Sequence, residues 1–178
     1  MAKTVWIGDV RKGVYDDQEI EIKGWITRSS YGRSNKLRFV VLRDSTGTLQ
    51  CVGKLDILGE ELFSMFNDAL VESSVVFSGT VLRNERAPGG RELSMAGVEI
   101  IGAVDPERPF PINKESLEVL DEDGELMPGG SEFLLNHRHL FLRTSRMTTM
   151  LKLRSSAFGA IHRYFRERDF IEYQAPNL

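Results

Sequence analysis

From residue 19 the chain alternates polar and apolar positions. In Glu19-Ile20-Glu21-Ile22-Lys23-Gly24-Trp25-Ile26-Thr27-Arg28, residues Ile20, Ile22 and Ile26 fall on one face. A period of two with one apolar side predicts a half-buried strand. Residues 37–43 predict a second strand, apolar on both faces, and residues 48–53 a third. Between them Asp44-Ser45-Thr46-Gly47 predicts a hairpin turn with glycine at its end. The period lengthens over 57–70, where Leu62, Phe63, Phe66 and Leu70 share one side, as a short helix requires. Residues 74–83 and 91–104 predict two more strands, separated by Ala87-Pro88-Gly89-Gly90. Gly24, Gly79 and Gly97 sit inside strands, where glycine marks a bulge or a sharp bend.

Three strands, a helix and two strands in this order predict a mainly β domain, the five-stranded oligonucleotide-binding (OB) barrel. Its outer face on the second and third strands is the usual ligand platform. Pro106, Pro109 and Pro111 then make a stiff spacer. Residues 121–130 are acidic and glycine-rich and predict a loop. Beyond them Met147, Leu151, Phe158, Ile161 and Phe165 form one stripe of a long amphipathic helix. An extended segment ending in Ala175-Pro176-Asn177-Leu178 follows it. The expected division is a barrel domain over 1–104, a linker over 105–135, and over 136–178 the first helix and strand of a second α/β domain.

Composition narrows the partners. Hydrophobic residues make up 41% and charged residues 28% of the chain, as in soluble globular proteins. The formal net charge of -3 offers no bulk attraction to a polyanion, so nucleic acid has to be held by a local patch. Cys51 is the only cysteine, which excludes an internal disulfide and suits a buried thiol in a reducing compartment. With no membrane-length apolar run either, a cytoplasmic location is expected.

The candidate chemistry lies on the barrel. If Val40 and Leu42 point inward, Arg38 shares their side, and Leu37, Phe39 and Val41 face out. On the next strand Leu49 and Cys51 point in, and Thr48, Gln50 and Val52 face out. Phe39 and Gln50 then share an exposed surface, with Arg28 nearby at the end of the first strand. A ring, an amide and a guanidinium on one face can stack on a base, bond its edge and hold a phosphate. The competing reading makes Phe39 core, Gln50 a solvated strand residue and Arg28 a surface charge. His137, His139 and His162 lack a metal-ligand pattern, and the acidic run 121–125 lacks the spacing of a calcium loop. No phosphate-cradling or nucleophile motif is present. Arg138, Arg143, Arg146 and Arg154 read equally as helix-surface charges or as ion-pair and phosphate contacts.

The wording of these segments resembles a known family. Ile22-Lys23-Gly24-Trp25-Ile26, Arg28, Leu37-Arg38-Phe39-Val40-Val41-Leu42-Arg43-Asp44, Gly47, Gln50, Gly79-Thr80-Val81 and Ala87-Pro88-Gly89-Gly90-Arg91-Glu92-Leu93 resemble the anticodon-binding barrel of class IIb aminoacyl-tRNA synthetases. Phe110-Pro111-Ile112, Glu132-Phe133-Leu134-Leu135 and Arg138-His139-Leu140-Phe141-Leu142-Arg143 are similar to asparaginyl-tRNA synthetases in particular. Phe170-Ile171-Glu172-Tyr173-Gln174-Ala175-Pro176-Asn177-Leu178 resembles motif 1 of class II synthetases.

The resemblance implies that Phe39 stacks on the central anticodon uridine, that Gln50 reads it and that Arg28 contacts it. Phe170 and Pro176 then belong to a motif 1 homodimer interface. The implied partner is tRNA(Asn), and the implied reaction is ATP- and Mg²⁺-dependent activation of asparagine and its transfer to tRNA. Motifs 2 and 3, which carry that chemistry in the family, do not occur in residues 1–178. This chain alone is therefore expected to be inactive and to bind no cofactor. Leu82 stands where aspartyl relatives often carry a basic residue, with Arg83 beside it as the candidate substitute. Two alternatives stay open: an aspartate-specific or non-discriminating synthetase, and a stand-alone OB-fold module for single-stranded nucleic acid.

Overall fold

The computed structural model of the chain describes residues 3–32, 34–111, 132 and 135–173. The predicted loop at 121–130, Pro176 and the rest of 174–178 lie outside the described residues. The chain divides into two units, Met1–Phe110 and Pro111–Leu178.

The first unit is a closed barrel. Its elements are β1 (Lys3–Thr4), α1 (Ile7–Arg11), β2 (Glu19–Tyr31), β3 (Leu37–Arg43), β4 (Thr48–Lys54), α2 (Leu55–Asp68), β5 (Ser74–Arg83) and β6 (Arg91–Gly102). The order is β1-β2-β3-β4-β6-β5, and a β2–β5 pairing closes the ring, with β4 and β6 parallel. β2 serves three neighbours: Ile20 and Glu21 pair with β1, residues 19–25 with β5 and residues 25–31 with β3. Gly24 sits at the changeover, and a Cβ there would collide with the Arg43 carbonyl. The five predicted strands are present. β2 runs on to Tyr31, and α2 both starts and ends two residues earlier than its apolar period suggests. β1 and α1 are too short for any period to show.

Inward-facing apolar side chains fill the barrel. Ile20, Ile22, Ile26, Val40, Leu42, Leu49, Cys51, Phe77, Leu93 and Met95 are buried. α2 adds Phe63 and Phe66, and the Phe66 ring meets Phe77 edge-on at 5.6 Å. Arg38 shares the inner side with Val40, as the alternation predicts, and is only 4% exposed. Its Nε donates to Ser29 Oγ at 2.8 Å and its Nη2 to the Ala69 carbonyl at 3.1 Å, and its guanidinium lies over the Phe66 ring. Burial lowers its pKa, and the neighbouring Tyr31 and Asp68 oppose the shift. Burial pushes the Cys51 thiol up, which makes it a core residue without redox reactivity.

Two carboxylates organise the chain around the ring. Asp44 begins the β3–β4 turn. Its Oδ1 accepts from the Thr46 and Gly47 amides at 2.7 and 2.9 Å, and its Oδ2 accepts from the Ile7 amide at the start of α1 at 2.8 Å. One side chain thus closes a hairpin and anchors a helix that is distant in sequence. Asp16, just before β2, receives Arg91 Nε and Arg83 Nε, each at 2.6 Å. Hydrogen bonds from Arg91 and Arg83 hold its pKa down to about 2.

The second unit contains α3 (Arg138–Phe141) and α4 (Ser145–Arg166). Thr144 caps α4: its side-chain oxygen accepts from the Met147 amide at 3.4 Å and donates to the Phe141 carbonyl at 2.9 Å. The predicted stripe lies on this helix, and Leu151, Phe158, Ile161 and Phe165 are each about half exposed. Phe170 is 61% exposed and turns back against Phe165, with ring centroids 5.4 Å apart. Glu172 Oε2 meets His162 Nδ1 and Arg166 Nη2, both at 2.9 Å. Residues 171–173 form no regular element. None of the described helices is long and apolar enough to cross a membrane.

Asp44→Ala should cost about 2–3 kcal/mol in urea unfolding, because it strands several buried or part-buried amides at once. A midpoint shift near zero would show that the turn and α1 hold without the carboxylate. The Asp16 clamp makes a pH-dependent prediction. An unfolded aspartate titrates near 3.9, above the folded value, so the clamp's contribution is full above about pH 4 and is lost as pH falls toward about 2. The stability gap between the native chain and Asp16→Asn should close across that window. A gap that stays constant there would show that the clamp carries no linked stability.

Candidate nucleic-acid interface

The face opposite the core is built from β2, β3, β4 and β6. Directly opposed residues of paired strands share a face, so the register defines rows across it. Arg28 opposes Val41, Val41 opposes Gln50, and Gln50 opposes Glu92. The next row holds Ser30, Phe39, Val52 and Ser94. Phe39 and Gln50 are therefore diagonal neighbours on adjacent strands, roughly 7–8 Å apart between backbones. That spacing lets a base lying on the Phe39 ring present its edge to the Gln50 amide.

All three predicted residues reach this face. Phe39 is half-buried and lies opposite Val52, which is itself buried at 6%. Phe39 is not among the barrel's core residues. Gln50 is half-buried, and Arg28 is exposed. Strict alternation from Ile26 would point Arg28 into the barrel. A register shift between Ile26 and Arg28 reverses the facing and sends the guanidinium outward.

Sequence reasoning assigns no role to Glu92, yet Glu92 organises the site. Its Oε2 accepts from Gln50 Nε2 at 3.0 Å and from Asn84 Nδ2 at 2.8 Å. The bond fixes the rotation of the Gln50 amide. The amide's second N–H and its carbonyl oxygen make no hydrogen bond to any described residue. Asn84 opens the β5–β6 loop, whose Gly89 and Gly90 have φ of 89° and 74°, a left-handed turn that suits glycine. The loop closes with Asn84 N–H to the Gly90 carbonyl at 3.0 Å and Gly90 N–H to the Ala87 carbonyl at 2.9 Å. The available sequence signal was topological: in a closed barrel of this order, the start of the last strand lies beside the third.

Other candidates sort differently. Leu82 opposes Glu92 on the outer face, and Arg83 points to the other side, where Asp16 holds it. Arg83 therefore does not substitute for a basic residue at position 82. His162 pairs with Glu172, and no group of three or more His, Cys, Asp or Glu able to hold a metal occurs among the described residues. Arg154 lies over the Phe158 ring at 5.4 Å, a helix-surface contact. Phe170 lies in the second unit against α4, and its proposed companion Pro176 is outside the described residues.

Comparison with known proteins agrees with this architecture. Residues 20–101 match the OB-fold nucleic acid binding domain family, and residues 130–178 match the class II tRNA synthetases (D, K and N). The asparagine–tRNA ligase of Pelotomaculum thermopropionicum is 37% identical over 92% of this chain and 34% of its own length. That of Symbiobacterium thermophilum is 31% identical over 97% of this chain and 36% of its own. The crystal structure of asparaginyl-tRNA synthetase from Pyrococcus horikoshii complexed with asparaginyl-adenylate superposes with a TM-score of 0.80 at 31% identity, covering 99% of this chain and 37% of that one. The chain thus spans about a third of the length of these relatives. Residues 20–101 thus belong to the OB-fold nucleic acid binding domain family and residues 130–178 to the class II tRNA synthetases (D, K and N), and the chain along nearly all its residues is similar to asparagine–tRNA ligases.

Proposed function

We propose that this chain is the anticodon-reading part of an asparagine–tRNA ligase and that its barrel face binds the anticodon of tRNA(Asn). The observation that carries the reading is the shared face of Arg28, Phe39 and Gln50, with the Gln50 amide pre-oriented by Glu92. An unstacked base lies on Phe39. A carboxamide offers one donor and one acceptor side by side, which complements the N3–H and a carbonyl of uracil. Fixing that amide in advance removes the rotational freedom that binding would otherwise have to freeze. Arg28 meets the backbone phosphate beside the stacked base, as a charge-assisted contact. Aspartate specificity has no comparable support, since the similar relatives named above act on asparagine.

The whole enzyme is read as a cytoplasmic homodimer that activates asparagine with ATP and Mg²⁺ and transfers it to the terminal ribose of the tRNA. Class II synthetases as a family use ATP and Mg²⁺. In the family that chemistry belongs to motifs 2 and 3, so the part assigned to residues 1–178 is selection of tRNA. The exposed apolar side of α4, with Phe170 and Pro176, is assigned to the dimer contact. Its support is the open row Leu151, Phe158, Ile161 and Phe165, too apolar to be left to water in a finished assembly.

Phe39→Ala and Gln50→Ala should each weaken binding of a GUU anticodon stem-loop by about 1–3 kcal/mol, with circular dichroism unchanged. Unaltered affinity for both would remove the barrel face from the site. The isolated 178-residue chain should show no asparagine-dependent pyrophosphate exchange above background. Exchange at an enzyme-like rate would place activation chemistry within these residues.

A further inference from the structure

Strand β2 contains one residue more than its pairing with β3 requires. Ile26 opposes Leu42 and Arg28 opposes Val41, and Thr27 has no opposite number. Ile26 is wholly buried, and three residues later Ser29 also turns inward, where its hydroxyl accepts from the buried Arg38 guanidinium. Two inward positions three apart are incompatible with a period of two unless one residue is extra. Thr27 is that residue, and the Thr27 hydroxyl donates to the Val41 carbonyl at 3.0 Å. A bulge of this kind re-aims the side chains beyond it. Here it brings Arg28 and Ser30 onto the outer face and keeps Ser29 in reach of Arg38.

We infer that Thr27 is a positioning residue for RNA binding: its hydroxyl, bonded to the Val41 carbonyl, holds the extra residue in β2 and so turns Arg28 onto the face of Phe39 and Gln50. The inference rests on the anticodon reading for its ligand but not for its geometry. Threonine suits the position on two counts. Its β-branched carbon favours extended backbone, and its hydroxyl reaches across to the facing strand. Valine keeps the first property and loses the second. Serine keeps the hydroxyl.

The test uses the whole chain and a GUU anticodon stem-loop as probe. Thr27→Val should lower affinity about five- to tenfold and make the salt dependence shallower by about 0.7 in slope, the loss of one phosphate contact. Thr27→Ser should stay within about twofold of the native chain, since it keeps the hydroxyl. In an Arg28→Ala background Thr27→Val should have no further effect, because the two act through one contact. Full affinity in Thr27→Val, or an equal further loss in the absence of Arg28, would overturn the inference. An RNA-free arm reads the facing directly. With Cys51 buried, the thiol introduced by Arg28→Cys is the reactive one, and removing Thr27 should slow its maleimide labelling at least about tenfold. Undiminished labelling of a folded chain lacking Thr27 would also overturn it. If that chain does not fold, the Thr27→Val and Thr27→Ser arms decide alone. If Phe39→Ala and Gln50→Ala leave RNA binding intact, the anticodon reading falls and the RNA role of Thr27 with it. If those two weaken binding and Thr27→Val does not, this inference alone is lost.

Discussion

The barrel depends on one strand pairing with β5 and β3 in turn within a single sheet. β2 pairs with β5 over its first half and with β3 over its second, and the ring closes only because the strand can pass from one partner to the other. Two local departures make the passage possible. At Gly24 the missing side chain admits the Arg43 carbonyl. Beyond it the unpaired Thr27 resets the facing of the strand end. Every residue of the outer face inherits its direction from this strand, because β3 is laid on β2 and β4 on β3.

The proposed site asks little of charge, because shape and hydrogen bonding are fixed. The chain as a whole is slightly acidic. Its strongly bonded arginines are committed elsewhere: Arg38 to Ser29 and Ala69 inside the barrel, and Arg91 and Arg83 to Asp16. Among the described residues, the two rows bring together the Phe39 ring, the Gln50 amide with its fixed rotation and the Arg28 guanidinium. In the proposed reading, stacking and an edge contact carry sequence preference, and the guanidinium contributes attachment.

Much of this was legible in the sequence. The alternations in 19–26, 37–43 and 48–53 identified strands and inner faces correctly, including the unusual inward Arg38. They also set Phe39 and Gln50 together, because antiparallel neighbours joined by a short turn keep their register. The N-terminal strand and helix were not legible, since Ile7 and Val10 are a single apolar pair in a five-residue helix held by Asp44 from far along the chain. The facing of Arg28 was not legible either. A bulge leaves composition unchanged, and counting by twos from Ile26 gives the wrong side. Glu92 escaped because its partner Gln50 lies across a parallel pairing between strands separated by α2 and β5. No local pattern encodes such a contact.

The row that begins at Arg28 reaches Glu92 before passing to Leu82, so its two charges lie on opposite sides of Val41 and Gln50. A guanidinium stands on the β2 side and a carboxylate on the β6 side, with Val41 and Gln50 between them. A phosphate backbone laid across these strands is attracted on one side and repelled on the other. Only bases can sit comfortably near Glu92. The barrel is therefore polar in the electrical sense along that row, and a strand lying with its backbone over β6 is disfavoured before any base is read.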